Sequence, residues 1–114
     1  MADGIIYINV EEGSRRVMNN MKLFVKLLGK FKEDTNLNGI NTSLADGDME
    51  KAQVFAHTLK GLTANLSLTE LYKQSVELET QIKARSVDNK QLEKVNAIYE
   101  QTLIEADKVI AQYA

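Results

Sequence analysis

His57 is the only histidine in a chain of 114 residues that contains no cysteine. Without cysteine there is no thiolate nucleophile, no disulfide framework and no thiolate metal site. A single histidine also excludes a paired-histidine metal centre. The imidazole of His57 is left as a candidate general base, metal ligand or covalent nucleophile. It sits in the run Ala56-His57-Thr58-Leu59-Lys60-Gly61. If that run is helical, Lys60 at i+3 can bring an ammonium close to an anion held on the ring. Gly61 at i+4 removes a side chain beside the imidazole and leaves room for another molecule to approach. A general base needs a substrate pocket and an orienting carboxylate, and the convex face of a helix supplies no pocket of its own. A metal ion needs further ligands; Glu50 and Gln53 would be weak company, and no metal site is expected. Covalent carriage of a group delivered by another protein asks for exposure, charge compensation and a docking surface. These residues offer all three.

The element that must present them is a helix capped by Asp48 and running to about Leu66. Its core-facing set is Ala52, Phe55, Ala56, Leu59, Leu62, Thr63 and Leu66. At about 100° per residue, His57 falls roughly 160° from the centre of that stripe, near the middle of the exposed face. Gln53 and Val54 lie one turn before it and Ala64 lies beyond Gly61, so these three are candidate docking residues. Gly61 costs roughly 1 kcal/mol relative to alanine inside a helix, and a solvated position gives no reason for it.

Further helices follow from the same periodicity. Leu68, Leu71, Ser75, Leu78 and Ile82 form one stripe, with Ser67 and Glu70 as a capping box at its start. Leu92, Val95, Tyr99, Thr102, Ala106, Val109 and Tyr113 form another, with Asp88 and Gln91 ahead of it. Asn9 and Glu12 cap a short helix over about residues 10–18, and the pair Asn19-Asn20 marks a break. Met21, Phe24, Val25, Leu28 and Phe31 then carry a stripe to about Asp34. Residues 36–47, rich in Asn, Gly, Asp, Thr and Ser, read as a loop around a weak helix from Ile40 to Ala45. No stretch alternates with period two. The reading is one all-α domain over residues 1–114, an antiparallel four-helix bundle with short additional N-terminal and connecting helices.

Composition sets the outer limits. Hydrophobic residues make up 44% and charged residues 26%, ordinary for a globular protein, and proline is absent, as suits unbroken helices. A net charge of −2 supplies no concentrated basic face, so nucleic acid is not an expected partner. The longest apolar run, Ile5 to Ile8, is far short of the ~20 residues that span a bilayer, so no membrane partner is expected either. No basic segment followed by an apolar one opens the chain, and a cytoplasmic location is expected; Met1 is compatible with a native start and equally with a domain excised from a larger protein.

The hexapeptide 56–61 resembles the signature of the histidine-containing phosphotransfer (HPt) domains of two-component phosphorelays. The likeness extends to Glu12-Gly13, Arg16, Leu27-Leu28 and Phe31 upstream, and to Leu44-Ala45 and Gly47-Asp48. Downstream it includes Ala64-Asn65-Leu66 and Leu78-Glu79, and it covers about residues 8–85. Leu62 and Ser67 stand where the family often has small residues and a helix-junction glycine. The resemblance implies that His57 accepts a phosphoryl group from the aspartyl phosphate of a receiver domain and passes it to another receiver's aspartate. It further implies that Lys60 balances phosphate charge, that Gly61 gives the partner access, and that Glu79 or Gln81 orients the other ring nitrogen. The chain would need no cofactor of its own, because the receiver supplies Mg²⁺. Its partners would be response-regulator receiver domains and a sensor histidine kinase, met as a monomer.

Three other readings compete. A histidine kinase dimerisation helix commonly has an acidic residue after the histidine and a proline beyond; here Thr58 follows His57 and there is no proline. No glycine-rich nucleotide-binding segment exists, so kinase activity of its own is not expected. The histidine-bearing substrate domain of a chemotaxis-type kinase shares the HPt plan and is the closer alternative. A non-catalytic helical adaptor with an idle His57 is the alternative from a different class.

Overall fold

The computed structural model describes residues 4–113, and Met1 lies outside them. Six helices follow one another: α1 (Val10–Arg16), α2 (Met21–Phe31), α3 (Asn36–Ala45), α4 (Met49–Asn65), α5 (Thr69–Lys83) and α6 (Asn89–Tyr113). No strand forms among the described residues. Asparagine and aspartate set most of the starts. Asn9 Oδ1 accepts from the Glu12 amide, Asn20 Oδ1 from Leu23 and Asp48 Oδ1 from Lys51, each satisfying a donor that the first helical turn leaves unpaired. The break between α1 and α2 is made by Met18 and Asn19, both in the left-handed region (φ 60° and 61°).

Helices α4, α5 and α6 run up, down and up, joined by tight turns. The 25-residue α6 spans about 37 Å at helical rise and sets the long dimension of the molecule, 41 Å. The fourth side of the bundle is divided. The short helix α3 lies against α4, while α2 packs along α6 through the Phe31–Tyr99 ring pair and the Lys32–Asp107 ion pair. Asn41 and Asn96 exchange side-chain hydrogen bonds of 2.9 and 3.2 Å and tie α3 to α6. One contiguous core results, built on Phe24, Leu28, Ile40, Leu59, Leu71, Leu78, Ile82 and Val95. Burying side chains of this size contributes roughly 1.5–3 kcal/mol each against leaving them in water.

Three expectations need correction. Residues 36–45 are not a loop around a weak helix but a continuous helix. Its polar residues favour turns locally, yet burial of Leu37, Ile40 and Ser43 against α4 outweighs them, and Asp34 accepts from the Asn36 amide at its start. Ser67 does not cap α5. It takes a left-handed φ of 54° in the α4–α5 turn and donates its hydroxyl to Glu12 Oε1 at 2.7 Å, while Leu68 holds the N-cap position without a side-chain bond. Tyr113, placed on the core stripe of α6, is exposed at the C-terminal end of that helix.

Two glycines are required by packing. A Cβ at Gly13 would stand 2.4 Å from the Phe24 ring, and one at Gly39 would stand 2.8 Å from the Phe55 ring. The second contact lets α3 close onto the helix that carries His57. Gly39→Ala is therefore expected to destabilise the fold by about 1–3 kcal/mol despite alanine's better helix propensity, because the ring must leave its place. Urea unfolding checks this; an unchanged or raised midpoint would show that Phe55 yields freely.

Candidate functional site

α4 presents His57 outward with its side chain 70% exposed, as the helical period requires. Behind it, on α5, stands Glu79, whose side chain is only 3% exposed. The stripe Leu71, Ser75, Leu78 and Ile82 turns α5 toward the core, and Glu79 follows Leu78 into the seam between the two helices. His57 Nδ1 lies 3.0 Å from Glu79 Oε2, Lys60 Nζ lies 2.6 Å from Oε1, and Lys83 Nζ lies 3.4 Å from Oε2. Burial, the largest single influence, pushes the Glu79 carboxyl upward. Hydrogen bonds from Lys60 and His57, with the charges of Lys60 and Lys83, together outweigh it and hold the group below its ordinary value of 4.5.

That electrostatic result fixes the chemistry of the ring. An ionised carboxylate can only accept, so Nδ1 must carry a hydrogen and donate it to Glu79. In the neutral imidazole the lone pair is then on Nε2, the nitrogen turned away from α5. Around the ring is an open depression of about 530 Å³ lined by Glu50, Gln53, Val54, His57, Thr58, Glu79 and Lys83. The Thr58 hydroxyl donates to the Val54 carbonyl at 3.0 Å and is thus turned back onto its own helix. No group of three or more His, Asp or Glu side chains arranged to hold a metal ion occurs among the described residues.

A family model described as the Hpt domain matches residues 26–106, well over half of the chain. The chain belongs to the Hpt domain family. Hpt domains are phosphocarriers of two-component signalling that interact with receiver domains and kinases in phosphorelays. Comparison with curated proteins and with solved structures gives no match. The matched stretch contains α3 to α5 and most of α6, with every residue of the His57–Glu79 cluster. No described helix is long and apolar enough to cross a membrane.

Within this Hpt domain the sequence-predicted residues divide into groups. His57, Lys60 and Glu79 come together. Gln81 does not join them: its Nε2 donates to Glu77 at 3.0 Å and its Oε1 accepts from the Asp88 amide at 2.9 Å, so it secures the turn into α6. Gln53 and Val54 line the depression beside His57, with Val54 strongly exposed. Ala64 lies farther along α4, on a smaller hollow shared with Glu12, Arg16 and Tyr72. A Cβ on Gly61 would meet nothing within 4 Å, so the domain's own packing does not require glycine there. Lys83 escaped the sequence reading. Its i,i+4 spacing from Glu79 was the available signal, but only the pairing of α4 with α5 shows that Glu79 also faces the histidine.

Proposed function

We propose that His57 is the phosphoacceptor of this Hpt domain, receiving the group from the aspartyl phosphate of a receiver and returning it to the aspartate of another. The observation that carries this reading is the ring's mounting. One nitrogen is held by a nearly buried carboxylate while the rest of the imidazole stands in solvent. Nε2 would attack phosphorus in line, the P–O bond to the receiver carboxylate would break, and that carboxylate would leave with the electron pair. A loose transition state of this kind depends on alignment and charge balance, which a helix can supply without an enclosed pocket. The receiver would bring Mg²⁺, and this domain would bring no cofactor, acting as a monomeric carrier in the cytoplasm.

The test is incubation of the full chain with labelled phosphoreceiver domains, with His57→Gln as control. Acid-labile, base-stable label on the wild type alone supports the reading. No transfer from a broad panel of receivers would sink it and favour the adaptor.

Gly61 supplies an independent prediction. Gly61→Gln should raise the stability of α4 by roughly 0.5–1 kcal/mol, because glutamine is the better helix former and nothing obstructs it. The same change should slow transfer from receivers, since a long side chain now stands one turn from the imidazole. A stabilised variant with a wild-type transfer rate would remove partner access as the reason for glycine.

A further inference from the structure

Two ammonium groups share the one carboxylate of Glu79, and they do so unequally. Lys60 approaches Oε1 at 2.6 Å with its side chain only 28% exposed, so it is a tight, half-sheltered partner. Lys83 stands 3.4 Å from Oε2, an oxygen already engaged by His57, and its side chain is 53% exposed. Lys83, unlike Lys60, lines the depression around the ring, where Glu50 places a carboxylate on the α4 side. Among the groups in direct contact, with a neutral ring, the Glu79 carboxylate against two ammonium groups leaves one surplus positive charge; Glu50, which also lines the depression, is in ion-pair contact with neither lysine.

Phosphorylation of His57 changes this balance. Bonding of Nε2 to phosphorus, with the Nδ1 hydrogen retained, leaves a positive imidazolium carrying a doubly negative phosphoryl group. The cluster then gains a net negative charge that its surplus cation can offset. We propose, building on the phosphoacceptor reading of His57, that the two lysines divide the work: Lys60 is the fixed counter-ion of Glu79, and Lys83 is the free cation that turns to the phosphoryl group. The motif lysine at i+3 thus acts through Glu79 to set the ring, and the charge that meets phosphate comes from α5. Lys83 can make this move because its contact with Glu79 is long and its flexible stem lies in solvent. Lys60 would have to abandon a short bond to a nearly buried carboxylate.

The experiment charges the full-length protein with the small phosphodonor phosphoramidate and follows the phosphohistidine by phosphorus NMR across a pH titration. A partly exposed ion pair predicts that Lys83→Met raises the pKa for the second ionisation of the phosphoryl group by roughly 0.2–0.7 unit. It should also shift the equilibrium with a phosphoreceiver away from histidine by roughly two- to fivefold. Lys83→Arg should retain the wild-type titration, and the helical circular dichroism of all variants should be unchanged. Lys60→Met should move the phosphoryl titration less than Lys83→Met does, and the urea midpoint of the unphosphorylated protein more. A wild-type titration in Lys83→Met, or an equal or larger shift in Lys60→Met, overturns the division of labour while leaving His57 as acceptor. Absence of any phosphohistidine in the wild type, from phosphoramidate and receivers alike, overturns the acceptor reading itself.

Discussion

His57→Gln is expected to lose all acid-labile phosphoryl label while unfolding in urea within about 0.5 kcal/mol of the wild type. The first half follows from composition and exposure together. His57 is the only histidine and there is no cysteine, so no second imidazole and no thiol can take the label. Glutamine occupies similar volume and can still donate an amide hydrogen to Glu79, but its nitrogen lone pair is delocalised and does not attack phosphorus. The second half follows from burial: a side chain 70% in solvent contributes little to the core, and Glu79 keeps both lysine partners. Label that persists in the variant with the same acid lability would end the assignment. Label that is base-labile would point to a carboxylate instead.

Glu79→Gln should show two effects that separate by pH. At neutral pH it removes an ionised carboxylate from between two ammonium groups, at an expected cost of about 1–3 kcal/mol. The loss stays below that of a fully buried pair because both lysines can reach water. The folded carboxyl lies below its ordinary value of 4.5, so its contribution is present above pH 4.5 and is lost as pH falls through the folded value. The wild type should therefore lose stability more steeply than Glu79→Gln in that acid window, and the two curves should converge. Parallel curves in urea unfolding from neutral to acid pH would show that Glu79 is not the group acid attacks. Transfer should fall by roughly ten- to a hundredfold at neutral pH, because a glutamine NH₂ can donate to Nδ1 and leave the hydrogen on Nε2, where the lone pair is needed. An unchanged transfer rate would mean that the ring finds its reactive form without Glu79.

The position of His57 was legible in the sequence because one helix repeats with one period, and a residue opposite a clear apolar stripe has nowhere to go but outward. The choice between Glu79 and Gln81 was not legible. Both lie on the same helix, and which of them meets the histidine depends on how α5 sits against α4, a property of two helices and the turn between them. Gln81 was a reasonable candidate until its amide proved to be engaged by Glu77 and the Asp88 backbone. Lys83 was hidden for the same reason. α3 was under-read because its asparagines, threonine and glycine speak locally for turns, whereas its helix is held by packing of Leu37 and Ile40 and by the space Gly39 leaves for Phe55.

Ser67 carries a consequence beyond its own turn. Its carbonyl accepts from the Asn9 amide at 2.9 Å and its hydroxyl donates to Glu12, so α1 is fastened to the bend that joins the two helices of the site. α1 lies wholly outside the stretch that the family model matches, which begins at residue 26. The folded unit accordingly extends beyond the stretch that the family model matches. A fragment beginning at residue 26 would keep the histidine and its carboxylate but lose the clasp on the bend between them.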